Sequence, residues 1–96
     1  MDTLTHAAIK TRIGLYAVIE PAQHHDVICL AHREGHPVPI RGVKGFLQNG
    51  VKFLTSVEAT SVACKSGQLL WTPQDPSYEL QPADIWKVKT VLVDNM

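Results

Sequence analysis

The sequence has little of what marks a specialised class of protein. It has two cysteines, Cys29 and Cys64, and they are not clustered. That excludes a disulfide scaffold and predicts two small, reduced core thiols. It has no excess charge: nine Lys and Arg balance nine Asp and Glu. The strongly basic balance of modules that coat duplex nucleic acid is missing, so duplex binding is not expected. Apolar runs such as Val91-Leu92-Val93 fall far short of the ~20 residues that cross a bilayer, so no membrane role is expected. The opening Met1-Asp2-Thr3-Leu4-Thr5-His6 offers neither a basic n-region nor an apolar h-region, and no secretion signal is expected. Repeats, low-complexity tracts and linker-like stretches are also missing.

What is present is enough for one core. At 96 residues the chain supports a single domain. A hydrophobic content of 45% argues against intrinsic disorder. Surface scaling gives a folded area of roughly 5,500 Å² against roughly 15,000 Å² extended, which predicts a modest core, marginal stability and self-association.

Residues Ile9, Ile13, Leu15, Ala17 and Ile19 share one parity and Lys10, Arg12 and Glu20 the other, the alternation of a strand. Thr11, Arg12 and Gly14 allow a turn, so a hairpin of Leu4–Lys10 and Leu15–Ile19 is expected, one long strand being the alternative. From His24 to Gly35, an apolar stripe at Val27, Ile28 and Ala31, the early acid Asp26 and the glycine stop predict a helix of about three turns. Val43–Leu47 and Val51–Leu54 flank Gln48-Asn49-Gly50, whose Asn-Gly pair predicts a second hairpin. Thr55-x-x-Glu58 has capping-box spacing, and Gly67 stands where a C′ glycine belongs, predicting a helix over 56–66. Pro73, Pro76 and Pro82 make 72–82 a loop, and alternation from Trp86 to Val93 predicts a last strand. The order ββαββαβ implies an α+β fold: a small antiparallel sheet with two helices, in an oligomer.

Four constellations are candidates for chemistry. His25, Cys29, His32 and His36 follow a helical stripe with soft ligand types, but Gly35 ends the helix before His36. Four ligands on one straight helix also cannot surround a zinc ion, so no metal is expected. His24-His25-Asp26 pairs imidazoles with a carboxylate, yet adjacent helical residues diverge by about 100° and no nucleophile is identifiable, so catalysis is not expected. At a helix N-terminus the same histidines can help hold an anion on free backbone N–H groups, or merely decorate a solvated turn. Gly42-x-x-Gly45 has the spacing with which KH domains clamp RNA, but the flanking residues read as a hairpin, so the glycines serve a bend into a strand. Arg33, Arg41, Lys44, Lys52 and Lys65 make the middle basic, while 66–86 carries Asp75, Glu79 and Asp84 and no base. That asymmetry suits a small anion site or an ordinary mixed surface. Phe46 and Phe53 fall on facing strands, and an aromatic beside Lys44 or Lys52 offers stacking next to charge.

Several short strings then occur in one order: His-His-Asp-Val-Ile (24–28), Gly-Phe-Leu (45–47), Lys-Phe-Leu (52–54), Glu-Ala (58–59), Gly-Gln-Leu (67–69) and Leu-x-Pro-x-Asp-Ile-Trp (80–86). Over roughly residues 14–86 this string resembles small phage-encoded proteins that include the first-described Thoeris anti-defence family, the cyclic-nucleotide sponges. The resemblance implies a homo-oligomer, a dimer or hexamer, in the cytoplasm of an infected bacterial host. Such a protein sequesters cyclic ADP-ribose isomers, or cyclic oligonucleotides of a second defence system, without cleaving them and without a cofactor. It implies a ligand set of Gln23, His24, His25, Lys44, Phe46, Lys52, Thr55, Ser56 and Gln68, with Phe46 as the adenine-stacking residue. The family's Arg before the two histidines is Gln23 here. Its Arg-Phe-Val-Asp-Arg pattern is Lys52-Phe53-Leu54-Thr55-Ser56, which keeps one charge and a capping hydroxyl and loses the second arginine. The alternative is a phage interaction module that inhibits a host protein through a sheet edge or the small-residue helix, with no small ligand.

Overall fold

The computed structural model describes residues 2–36 and 40–86. Strands β1 (Leu4–Lys10) and β2 (Leu15–Ile19) precede helix α1 (His24–Arg33). Strands β3 (Val43–Gln48) and β4 (Lys52–Thr55) lead into α2 (Ser56–Ser66), and a single turn, α3 (Pro82–Ile85), comes last. The α+β reading holds: one antiparallel sheet in the order β2-β1-β3-β4.

Local chemistry accounts for most boundaries. The first hairpin turns on Thr11, whose Oγ1 accepts N–H bonds from Ile13 (3.3 Å) and Gly14 (3.1 Å) and donates to the Gly14 carbonyl (2.8 Å). The second turns through Asn49 and Gly50, both at positive φ, and closes with Val51 N–H on the Gln48 carbonyl at 3.0 Å. At α2 the Thr55 hydroxyl accepts from Glu58 N–H (3.2 Å) while the Glu58 carboxylate accepts from Thr55 N–H (2.9 Å). Gly67 ends α2 in the left-handed region at φ 81°. α1 stops at Gly35, with Gly35 N–H on His32 O and His36 N–H on Ala31 O.

The loop expected over 72–82 ends one residue early, because Pro82 at the first helical position and Asp84, which accepts from Gln81 N–H at 2.9 Å, start α3. Trp86 follows α3 as a buried cap rather than opening a strand, its N–H on Pro82 O. The remainder of the expected last strand, 87–93, lies outside the described residues.

Both long helices share one face of the sheet. Val27 of α1 and Ala59 and Ala63 of α2 meet Ala7 and Ile9 of β1, Phe46 of β3 and Leu54 of β4 in one cluster, closed by Leu69, Leu80 and Trp86. The alanines of α2 let its backbone lie close to the strands, as its small residues suggested. Side-chain alternation places Ala8, Lys10, Leu15, Ala17, Ile19, Val43, Gly45, Leu47 and Phe53 on the other face. There Leu15, Ile19 and Val43 stay exposed. The cysteines are free, Cys64 partly buried against the core and Cys29 exposed, so the core placement expected of Cys29 is corrected. Cys29 falls outside the Val27/Ile28/Ala31 stripe.

Candidate functional site

Five of the nine expected ligand residues are committed to holding the fold. Phe46 is fully buried, with edge-on contacts to His24 (5.5 Å between centroids) and Trp86 (5.6 Å). It presents no face to a base, which corrects its stacking role. His24 turns inward, and its Nε2 donates to the Gly45 carbonyl at 2.9 Å. Burial lowers its pKa below the ordinary histidine value, and the charge of Lys44 acts in the same direction, against the Gly45 hydrogen bond. A neutral, inward imidazole is not an anion ligand. The Thr55 hydroxyl is the α2 cap, and the buried Ser56 hydroxyl donates to Lys44 O at 3.1 Å. The Gln68 amide spans the Leu4 backbone, Nε2 donating to Leu4 O and Oε1 accepting from Leu4 N–H, each at 2.9 Å.

The helix N-termini are not open anion sites either. At α1 the Asp26 carboxylate accepts from Gln23 N–H at 2.8 Å, and at α2 Glu58 does the same to Thr55. Each helix therefore meets its positive end with its own carboxylate, and a second anion there meets like charge. The first-turn acid that helps predict a helix start is also what sets like charge against a phosphate there.

Gln23 is half-buried, while His25, Lys44 and Lys52 are exposed and free to meet a ligand. Lys44 lies on the helix-bearing side of the sheet, its backbone paired with Ile9. The metal-like stripe does not converge. His36 sits beyond the helix with its ring 5.6 Å from that of Tyr16, and among the described residues no group of three or more His, Cys, Asp or Glu is placed to hold an ion.

One pairing was missed in the sequence. Phe53, half-buried on the open face of the sheet, lies over Gly45, its Cζ 2.8 Å from where a Cβ on that residue would stand. Lys10 of β1 brings its Nζ to 6.0 Å from the Phe53 ring centroid, at the edge of cation–π range. Gly45 is needed here for a different reason from the expected bend. A Cβ would collide with the Leu54 carbonyl and the Phe53 ring, so only glycine lets β4 and its aromatic close down. The signal was a glycine diagonal to an aromatic across a hairpin. Surface grooves near these elements are modest: 400 Å³ between β2 and α1, lined by Val18, Pro21, Cys29 and Arg33 among others, and 360 Å³ beside Gln68, Trp71 and Asp84.

Fold and site together define a small α+β domain whose sheet is helix-covered on one side and carries an accessible aromatic–lysine pair on the other. Comparison with family models, with curated proteins and with solved structures finds no match.

Proposed function

We propose that this domain is a non-catalytic sponge for cyclic nucleotide signals of bacterial immunity, acting as a homo-oligomer in the cytoplasm of a phage-infected host. The observation that carries the reading is the half-buried Phe53 ring on the open sheet face, with the Lys10 ammonium over it at 6.0 Å from its centroid. A base stacked on such a ring gains about 1–3 kcal/mol, and an adjacent cation favours the phosphates. The motif order supplies the ligand class, with Phe53 taking the stacking role first given to Phe46.

The same arithmetic calls for a second copy. A sponge lowers free messenger only when it binds near nanomolar levels, about −12 kcal/mol, more than one stack and one ion contact supply. A flat face also leaves one side of the ligand wet, whereas tight small-molecule sites bury ~70–90% of it. A second protomer provides the opposite wall.

The test is to incubate purified protein with cyclic ADP-ribose isomers and cyclic oligonucleotides, remove free ligand, heat-denature and analyse the release. Intact nucleotide, lost in Phe53→Ala and reduced in Lys10→Ala, is the expected result. Cleaved product means an enzyme, and no uptake overturns the reading. A second reading, a module that inhibits a host protein, draws on Leu70 and Trp71, 84% and 48% exposed beside the acidic loop. It predicts no nucleotide uptake and host-protein capture that Trp71→Ala abolishes.

A further inference from the structure

His25 and Cys29 stand one helical turn apart on α1, both exposed, with His25 Nε2 3.7 Å from Cys29 Sγ. Residues four apart on a helix overlie one another, so the pair is held by the backbone rather than by a long loop. A zinc ion with Zn–S near 2.3 Å and Zn–N near 2.05 Å in tetrahedral geometry needs its sulfur and nitrogen about 3.6 Å apart. The 3.7 Å separation is close to that bite.

We propose that His25 and Cys29 form a two-point chelating site for a thiophilic d¹⁰ cation, Zn²⁺ being the representative. In the metal-free protein the short contact is a weak hydrogen bond between thiol and imidazole. On binding, the Cys29 thiol gives its proton to solvent, Sγ and Nε2 each donate an electron pair to the cation, and four of the six waters of the aqueous ion leave as it becomes tetrahedral. No electron is transferred. The ion stays divalent, and one proton is released per site. The Asp26 carboxylate accepts from Gln23 N–H and, among the described residues, does not converge on the pair as a third donor. His32 lies on the next turn, exposed and not converged with the pair. Arg33 lines the same groove as Cys29. Its charge disfavours the ion, and its long side chain is free to swing into water. The two remaining coordination positions are filled by water or by the same pair from a second copy, which completes a Cys₂His₂ tetrahedron.

The test does not depend on nucleotide binding. Untagged, reduced full-length protein is titrated with Zn²⁺ against a chromophoric zinc indicator. Co²⁺ then serves as a spectroscopic stand-in whose sulfur-to-metal charge-transfer band reports thiolate ligation. Expected are a saturable site, the Co²⁺–thiolate band, and loss of affinity by about tenfold or more in both Cys29→Ser and His25→Ala. Cys64→Ser and His32→Ala are expected to bind as wild type. One ion per monomer means water completes the site, whereas one per two chains with a doubled mass means a second copy does. Both outcomes support the chelate. Binding unchanged in His25→Ala, or lost equally in Cys64→Ser or His32→Ala, overturns it, as does a wild type without the thiolate band. Circular dichroism of each variant separates ligand loss from unfolding.

Discussion

Replacing Phe46 separates a packing residue from a binding residue. Its side chain is fully buried among Ala7, Leu54 and Trp86, and His24 meets its ring edge. Truncating a buried phenylalanine to alanine costs about 3–5 kcal/mol, from lost transfer energy and the cavity left behind. A 96-residue domain has roughly 5–14 kcal/mol of stability in total. Phe46→Ala therefore removes about a fifth of the stability or more, and the melting temperature is expected to fall by about 15–30 °C. Phe46→Leu keeps most of the volume, costs about 1–2 kcal/mol and leaves a folded protein for binding assays. Trp86, whose ring packs on Phe46, supplies the fluorescence change for urea titration at 25 °C. Phe53→Ala, at a half-buried position, is expected to cost only about 1 kcal/mol while abolishing nucleotide uptake. The decisive comparison is Phe46→Leu with Phe53→Ala. Should Phe46→Leu keep wild-type stability and lose uptake, Phe46 is a ligand platform and the packing reasoning is wrong.

Gln68→Ala removes both hydrogen bonds to the Leu4 backbone and is expected to cost about 1–3 kcal/mol. Gln68→Glu is expected to cost more, because it turns an acceptor toward the Leu4 carbonyl; hydrogen exchange at the β1 amides and urea midpoints check both. His24 has a folded pKa below its unfolded value because burial disfavours the imidazolium, so below the ordinary histidine value the unfolded chain binds more protons. Stability is then full above the unfolded pKa and is lost as pH falls from about 7 toward the lowered folded value. His24→Gln is expected to flatten that part of the melting-temperature profile, and an unchanged slope refutes the assignment. Gly45→Ala drives a Cβ into the Leu54 carbonyl and the Phe53 ring, with an expected loss of about 1–3 kcal/mol; a melting temperature equal to wild type would show that β4 does not close on β3 this tightly.

How far the fold was legible follows the range of the interactions that set it. The Thr11 turn, the Thr55/Glu58 box and the Gly67 cap are complete within four residues of chain, and the elements they bound fall close to where the sequence placed them. The site depended on pairings that composition and spacing do not carry. Had the Asn49-Gly50 turn joined its strands with Gln48 opposite Val51, Phe46 and Phe53 would face each other on one side of the sheet. Instead Val51 is left outside the ladder, 82% exposed, and pairing resumes with Gln48 opposite Lys52. That one residue sets Phe46 opposite Leu54 and Leu47 opposite Phe53, so the two phenylalanines point to opposite faces. Core packing explains the choice. The inward position is surrounded by His24, Trp86 and Ala7, while the outward one lies over Gly45, the residue on its face that has no side chain of its own. A glycine at 45 and an extra residue at 51 thus decide together which aromatic supports the core and which remains accessible to a ligand. A motif that aligns Gly-Phe alone picks the buried one.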